Sequence, residues 1–345
     1  VIDARFAAAL DALSEHADGA DEFALVRAQE MLLGYHTMWC DEPYEVLGVE
    51  QQLFAPLVNP ESGRPSRTWQ LGGKLDVIVR DGRTGLTYKV EHKTSSEKIG
   101  PGSDYWLRLT LNPQVSTYNT LASEAGFDVS GCLYDVLGKP KLRPYKATPV
   151  ADRKYVQKTG ALYASQREAD ETPAEYALRV REAIAEHPDD FYQRGTIVRL
   201  ESEEREAAQD RWQVGEQIRA AQLSGCHPRN PDACERYRTM CQFFDVCTGT
   251  VALDDETRFV RVDNVHQELD LSALDAADGR RHLAVLTNSQ MSAFRRCQRE
   301  HDLAYNRGYR AVHQGEALRD GTLVHYGLEG WWRAAMQAQL SHVAV

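Results

Sequence analysis

The chain has 345 residues, 40 Lys and Arg against 51 Asp and Glu, and a formal net charge of −11. A hydrophobic share of 42% and a charged share of 26% exclude disorder along the whole length, and no apolar run reaches the ~18 residues of a membrane span. So acidic a protein meets nucleic acid only through a local basic surface or through metal ions, not through its overall field. A prior of ~150 residues per domain suggests about two domains, or one α/β core with insertions. VIDARFAAAL lacks the basic region and cleavage pattern of a secretion signal, and without an initiator Met, Val1 reads as an unnatural start. Seven cysteines in such a chain point to a reducing, cytoplasmic setting rather than a disulfide scaffold.

Residues 1–40 carry apolar side chains at three- and four-residue spacing, predicting two helices around the loop EHADGAD. EVLGVEQQLFAPLV alternates like a strand, and NPESGRPSR is turn-rich. TWQLGGKLDVIVRD and GLTYKVEHKTS predict two strands joined by DGRTG. Residues 103–125 return to helix, and GCLYDVLGK reads as a buried strand. The stretch 138–158 is basic, and the helical stretch after it is acidic. RGTIVRL predicts a short strand, and an amphipathic helix from Glu201 leads into a cysteine-rich segment. Residues 250–282 read as a polar linker or tail. Residues 283–345 start afresh with a helix capped by Asn288 or Ser289.

The most informative segment is GGKLDVIVRDGRTGLTYKVEHKTS. It places Asp76 on one strand and Glu91-His92-Lys93 at the end of the next. Residues two apart on a strand share a face, so Glu91 and Lys93 point the same way. Two carboxylates suit Mg2+ or Mn2+, which activate phosphodiesters and water, and a lysine can orient that water. An ordinary charged surface hairpin is the bland alternative for these three residues taken alone.

The longer pattern weighs against that alternative. Gly-x-x-Asp, then Glu-x-Lys-Thr-Ser, then Gln114 and Tyr118 one turn apart in LNPQVSTYNTLA together resemble the PD-(D/E)XK nuclease superfamily in its RecB-like exonuclease branch. The resemblance implies an α/β fold: a mixed sheet flanked by helices, with helical additions and a cysteine-bound lobe. It implies catalysis by Asp76, Glu91 and Lys93, with Gln114 and Tyr118 touching DNA or steadying the metal site. The backbone carbonyl of His92 is a further expected ligand. Such nucleases carry a histidine ahead of the aspartate. The best match here lies at the far end of the chain, where LTNSQMSAFRRCQREH is followed by Gly321 and His325. The order thus reads as circularly permuted: 1–249 the main part of the nuclease core, 250–282 a linker or tail, and 283–345 the segment resembling the natural N-terminal part. A fragment of a tandem array is the alternative. His325 is the expected third metal ligand, with His36 in reserve. WWRAAMQAQL reads as flowing into ARFAAALDAL.

Members of that branch also hold a [4Fe–4S] cluster with one cysteine before the core and three after it. The resemblance implies Cys297, Cys234, Cys241 and Cys247 as ligands, with Cys226 as a substitute for Cys297. The six-residue gap between Cys234 and Cys241 is wider than usual, and zinc or plain buried thiols remain alternatives. Cys40 and Cys132 read as core. Glu50, on the strand before the core, reads as a strand-end charge, with contact to the active site as the alternative. Lys139, Lys141 and Arg143 open the basic stretch, whose interleaved Tyr145 and Tyr155 suit a phosphate-tracking groove, and Trp106 and Arg108 are further candidates to face DNA. The expected activity is metal-dependent hydrolysis of DNA, exonucleolytic, in recombination or phage DNA processing, with DNA and a recombination protein as partners and no membrane. A non-catalytic DNA-binding module and a redox-sensing iron–sulfur protein are the competing classes.

Overall fold

The computed structural model describes residues 3–236, 239–272, 283–312 and 316–343. In it the alternating stretches form one mixed sheet. Strands β1 (Tyr44–Val58), β2 (Pro65–Asp81), β3 (Thr87–Ser95), β4 (Val129–Gly138) and β5 (Tyr192–Ile197) lie in that order. All neighbours run antiparallel except β3 and β4, which are parallel. A parallel step needs a crossover, supplied by helices α3 (Asp104–Leu109) and α4 (Pro113–Glu124). The single helical run expected there is broken because Pro113 cannot continue a helix but can start one. The Asn112 side chain caps α4 by accepting the Gln114 amide at 2.9 Å.

Side chains alternate across the sheet, so it is covered on both faces. Val77, Val79, Val90, Leu133 and Leu137 pack with helices α1 (Ala4–Glu15), α2 (Glu22–Trp39), α5 (Pro173–Glu186) and the C-terminal helix Glu316–Val343. Ile78 and Leu75 pack under α4, the long helix Glu201–Ser224 and the helix Asn288–Arg296. Cys132, Tyr134 and Val136 join Leu109 and Val115 of the crossover. The protein is therefore mixed α/β, a central sheet flanked by helices. No described helix is long and apolar enough to cross a membrane.

Strand β2 has two unlike edges. β1 runs along one of them from end to end. On the other edge, β3 pairs only with Val77–Arg80, and the strand Ala284–Leu286 pairs in parallel with Trp69–Leu71. Residues 72–76, ending in Asp76, lie in the fork between these two partners.

The segment from 283 onward folds back onto the start of the chain. Leu323, Val324, Leu328, Trp331, Trp332 and Ala335 are buried at helical spacing against α1, α2 and the sheet. The C-terminal helix does not continue into α1 but packs antiparallel beside it. Arg5 lies over the Trp331 ring at 5.1 Å, and His16 stacks on Tyr326 at 3.6 Å. Val1 and Val345, expected to lie close together, fall outside the described residues. The N-cap of the Asn288 helix is Thr287, not Asn288 or Ser289, because the Thr287 hydroxyl accepts the Gln290 amide. Of the expected linker, residues 273–282 lie outside the described residues, and 250–272 are packed in: Phe259–Arg261 pairs with Tyr309–Ala311, and His266 is buried against Val285.

Gly330 tests this docking. A Cβ there would stand 2.6 Å from the Ala8 carbonyl oxygen and 2.7 Å from the Ala12 Cβ. Replacing glycine by alanine inside a helix normally stabilises by ~0.5–1 kcal/mol. Here the neighbour is backbone and cannot yield, so Gly330→Ala is expected to destabilise by about 1–3 kcal/mol in denaturant unfolding. A stabilising effect would mean that α1 and the C-terminal helix are not in close contact.

Candidate metal centre

The flanking register, Val49 opposite Val77 and Gln51 opposite Leu75, sets Glu50 across from Asp76. Asp76 stands at the point where β3 leaves β2, so its carboxylate turns into the fork. Its Oδ2 accepts the His92 backbone N–H at 2.8 Å. Its Oδ1 lies 3.5 Å from Nε2 of His325, and the same nitrogen is 3.7 Å from Oε1 of Glu50. Glu50, Asp76 and His325 are the one group of three potential metal ligands among the described residues whose ligating atoms all lie within 4.8 Å of one another. Cis ligands at about 2.1 Å from one ion stand roughly 3 Å apart, so small movements would close this set. Two carboxylates and one imidazole are donors suited to Mg2+ or Mn2+.

Glu50 is thus more than a strand-end charge. It is also the only described non-glycine residue with positive φ, +52°, a region that side-chain-bearing residues seldom occupy and that clusters at functional sites. Its side chain is almost fully buried and pairs with Lys74. An acidic residue set among apolar neighbours in VLGVEQQL is the one signal residue types offer, and the backbone turn that aims it cannot be read from them.

Glu91 stands outside the tight group. It is buried, pairs with Lys93, and accepts from Gln114 Nε2 at 2.8 Å. Burial and the negative charge of Asp76 push the Glu91 carboxyl above its ordinary range, against the pull of Lys93. Burial would raise Asp76 as well, but the charge and hydrogen bonding of His325, with help from His92, outweigh it and hold Asp76 well below the usual range. Desolvation opposes the charge on Lys93, and Glu91 and Asp76 overcome it, so its ammonium is held more firmly than usual. Gln114 and Tyr118 do share a face of α4. Tyr118 packs against Gly73, where a Cβ would come within 2.8 Å of its ring, and burial raises its hydroxyl well above the ordinary range. Lys89, which no motif singles out, is buried and bonds to the Val115 carbonyl and Asn119, fastening α4 over β3. Burial brings its amine down to about 8.

His36 is not part of the centre. It accepts from Trp331 Nε1 at 3.1 Å and stacks on Phe6. Trp106 is likewise structural, its N–H on the Ile99 carbonyl and its ring against Gly195, and Arg108 pairs with Glu97. Lys139 lies beside Gly321 and Asp320, with burial lowering its amine. Lys141 and Arg143 are exposed on the loop after β4. Within that loop Lys146 pairs with Asp170, and Arg153 bonds to the carbonyls of Thr148 and Glu168, so part of the basic stretch is neutralised or tied internally.

The structure also brings the late cysteines together. A two-strand hairpin, Glu235–Arg236 with Thr239–Met240, closes the wide gap between Cys234 and Cys241, whose backbones bond N–H to C=O at 2.7 Å. Cys247 comes next on a short helix, and Cys297 ends the Asn288 helix. Cys234, Cys241, Cys247 and Cys297 line one cavity of about 400 Å3. Burial first, then Glu300 and the neighbouring thiols, push Cys241 up to about 11. Cys226 is exposed and does not line this cavity, and Cys132 is buried in the core. No three of the four thiols come within 4.8 Å of one another.

No family model matches the chain, and no curated protein matches it. Among solved structures, one described as "Crystal structure of SSO0001" is similar over 52% of this chain and 74% of its own, at 14% identity and a TM-score of 0.20. A likeness that slight adds nothing to what the geometry says.

The His325–Asp76 contact has a pH signature. Burial disfavours the charged form of the ring, but Asp76 and Glu50 overcome it and pull the His325 value up to about 10. A raised histidine value stabilises fully below its ordinary 6.5 and loses that contribution as pH rises through the folded value. With chelator present, the stability lost in His325→Gln should be greatest near pH 6 and shrink steadily toward pH 10. Its size is reduced by solvent screening, since the imidazole is 37% exposed. An unfolding difference that stays flat over that range would contradict a charged His325.

Proposed function

We propose that the protein is a metal-dependent DNA nuclease of the RecB-like PD-(D/E)XK type, exonucleolytic, working in recombination or phage DNA processing. The observation that carries this reading is the convergence of Glu50, Asp76 and His325 in the fork of the sheet, beside the Glu91–Lys93–Gln114 cluster. Glu50, Asp76 and His325, with Glu91 next to them, would hold Mg2+ or Mn2+. A divalent ion bound there polarises a phosphodiester and acidifies water. The Lys93 ammonium, kept charged by Glu91 and Asp76, offsets negative charge as it develops on the phosphate and orients the attacking water. Gln114 keeps Glu91 turned toward that place. Lys139, Lys141 and Arg143 offer phosphate contacts that the protein's overall negative charge does not.

The order of these parts in the chain supports a circularly permuted nuclease over a tandem-array fragment. His325 reaches Asp76 and Cys297 reaches the other three cysteines within one chain. The cavity walled by Cys234, Cys241, Cys247 and Cys297 suits a [4Fe–4S] cluster. A zinc ion at Zn–S of about 2.3 Å would hold all its thiolates about 3.8 Å from one another, whereas no three of these thiols lie within 4.8 Å of one another, which favours the larger four-iron cluster. Such a cluster would pin the Asn288 helix to the segment after Ser224.

End-labelled single- and double-stranded DNA incubated with Mg2+ or Mn2+ tests the activity. Cleavage should stop with chelator and fall by on the order of 10²–10⁴-fold in Asp76→Ala and Lys93→Ala, with folding preserved. Persistent cleavage by both variants, or none by the wild type, would remove the nuclease reading. Anaerobically purified protein should be brown with bound iron and sulfide, and Cys241→Ser should lose colour and stability together. A colourless protein carrying one zinc would favour zinc instead.

A further inference from the structure

We infer that His92 is a positioning residue for Asp76, set in its working form by Trp332 of the C-terminal helix; this role rests on the protein being a metal-dependent nuclease. His92 lies between Glu91 and Lys93, so its side chain leaves the opposite face of β3. There it is enclosed, 4% exposed, among Tyr35, Asp135 and Trp332, which are 0%, 1% and 3% exposed. Its backbone N–H already holds Oδ2 of Asp76. Its imidazole Nδ1 stands 3.6 Å from the same oxygen, an electrostatic rather than a hydrogen-bonding distance.

Which nitrogen carries the proton is settled by counting donors. An indole N–H only donates. Trp332 Nε1 lies 3.0 Å from His92 Nε2 and 3.1 Å from the Tyr35 oxygen. Tyr35 gives its own proton to Asp135 Oδ2 at 2.7 Å, and Arg194 Nη2 holds that carboxylate at 2.6 Å. With Trp332 donating at 3.0 Å, Nε2 of His92 must accept, and the ring proton sits on Nδ1, facing Asp76. A proton on Nε2 would set two donors against each other at that distance in a buried site.

The C-terminal helix therefore serves the centre twice. His325 reaches Asp76 directly. Seven residues on, two turns along the same helix, Trp332 fixes the tautomer of the histidine behind Asp76. A group behind a metal-holding carboxylate that fixes its orientation is typically worth 10–100-fold in metal affinity. An apolar side chain would fill the same space but would leave the Trp332 N–H only the Tyr35 oxygen to donate to and Asp76 without the Nδ1–H dipole.

The test is Mn2+ affinity of the full chain by calorimetry, with DNA cleavage and metal-free unfolding measured in parallel. Asparagine supplies an amide where Nδ1 stands, and glutamine places its amide near Nε2. His92→Asn should bind Mn2+ within about threefold of wild type, and His92→Gln about 10–100-fold more weakly. Trp332→Phe, which removes only the N–H from an aromatic side chain, should weaken binding in the same direction. Equal loss in the Asn and Gln variants, tracking their loss of stability, would make His92 a packing residue and overturn the inference. So would wild-type affinity in His92→Gln. Wild-type protein that binds no Mn2+ and cuts no DNA would overturn the nuclease reading and this inference together. Mn2+ binding and cleavage by wild type, with His92→Gln unaffected, would overturn this inference alone.

Discussion

The arrangement depends on one break in hydrogen bonding along β2. A strand paired on both edges for its full length has no backbone groups to offer and no space for side chains between strands. β2 has one continuous edge, with β1, and one interrupted edge, shared by β3 and the strand Ala284–Leu286. In the interruption Asp76 turns toward the gap and takes the free His92 N–H, so a backbone donor that the ladder leaves over is satisfied by a carboxylate. Buried amides must find some acceptor. Here the acceptor is also the residue around which Glu50 and His325 gather.

Charge then sorts the groups in that fork. Three carboxylates, one imidazole and two ammonium groups gather at that fork, and burial alone would neutralise the acids. His325 keeps Asp76 ionised, while Glu91, sharing the field of Asp76, is pushed the other way. Lys93 on Glu91 and Lys74 on Glu50 balance the remainder. Each carboxylate thus has a different partner, and the cluster is held by contacts from three strands and two helices rather than by any one hairpin.

The far end of the chain is as much a part of this site as the strands are. Its helix buries Trp331 and Trp332, packs closely on α1 through Gly330, and ties the start of β1 through Gln339, which accepts from Val46 and donates to the Tyr44 carbonyl. The cysteine lobe is tied within itself by Arg229 on the Cys247 carbonyl and joined to the Asn288 helix by Asn230 on the Arg296 carbonyl. Segments more than 200 residues apart in sequence are therefore near neighbours at the carboxylate cluster, and distant segments meet again at the thiol cavity.

Much of this was legible in residue types. Period-two alternation marked β1, while β2 and β3 read as strands joined by the short DGRTG turn that pairs Asp76 with Glu91-His92-Lys93, β4 read as a buried strand, and Gln114 and Tyr118 declared a shared helix face by their spacing of four. The grouping of His325 with Asp76, and of Cys297 with the three other cysteines, was expected from a family resemblance read in rotated order. What residue types did not carry was set by contacts distant in sequence. Glu50 became a site residue through a positive φ and a register with β2. His92 turned away from the site face and into a buried network because strand neighbours alternate and Trp332 waited on that side. Cys234 and Cys241 met because a two-residue-strand hairpin closed a gap that looked too wide. Local spacing decides which side chains share a face of one element; which faces meet, and which backbone donors are left over to be answered, is decided only when the strands pair and the helices dock.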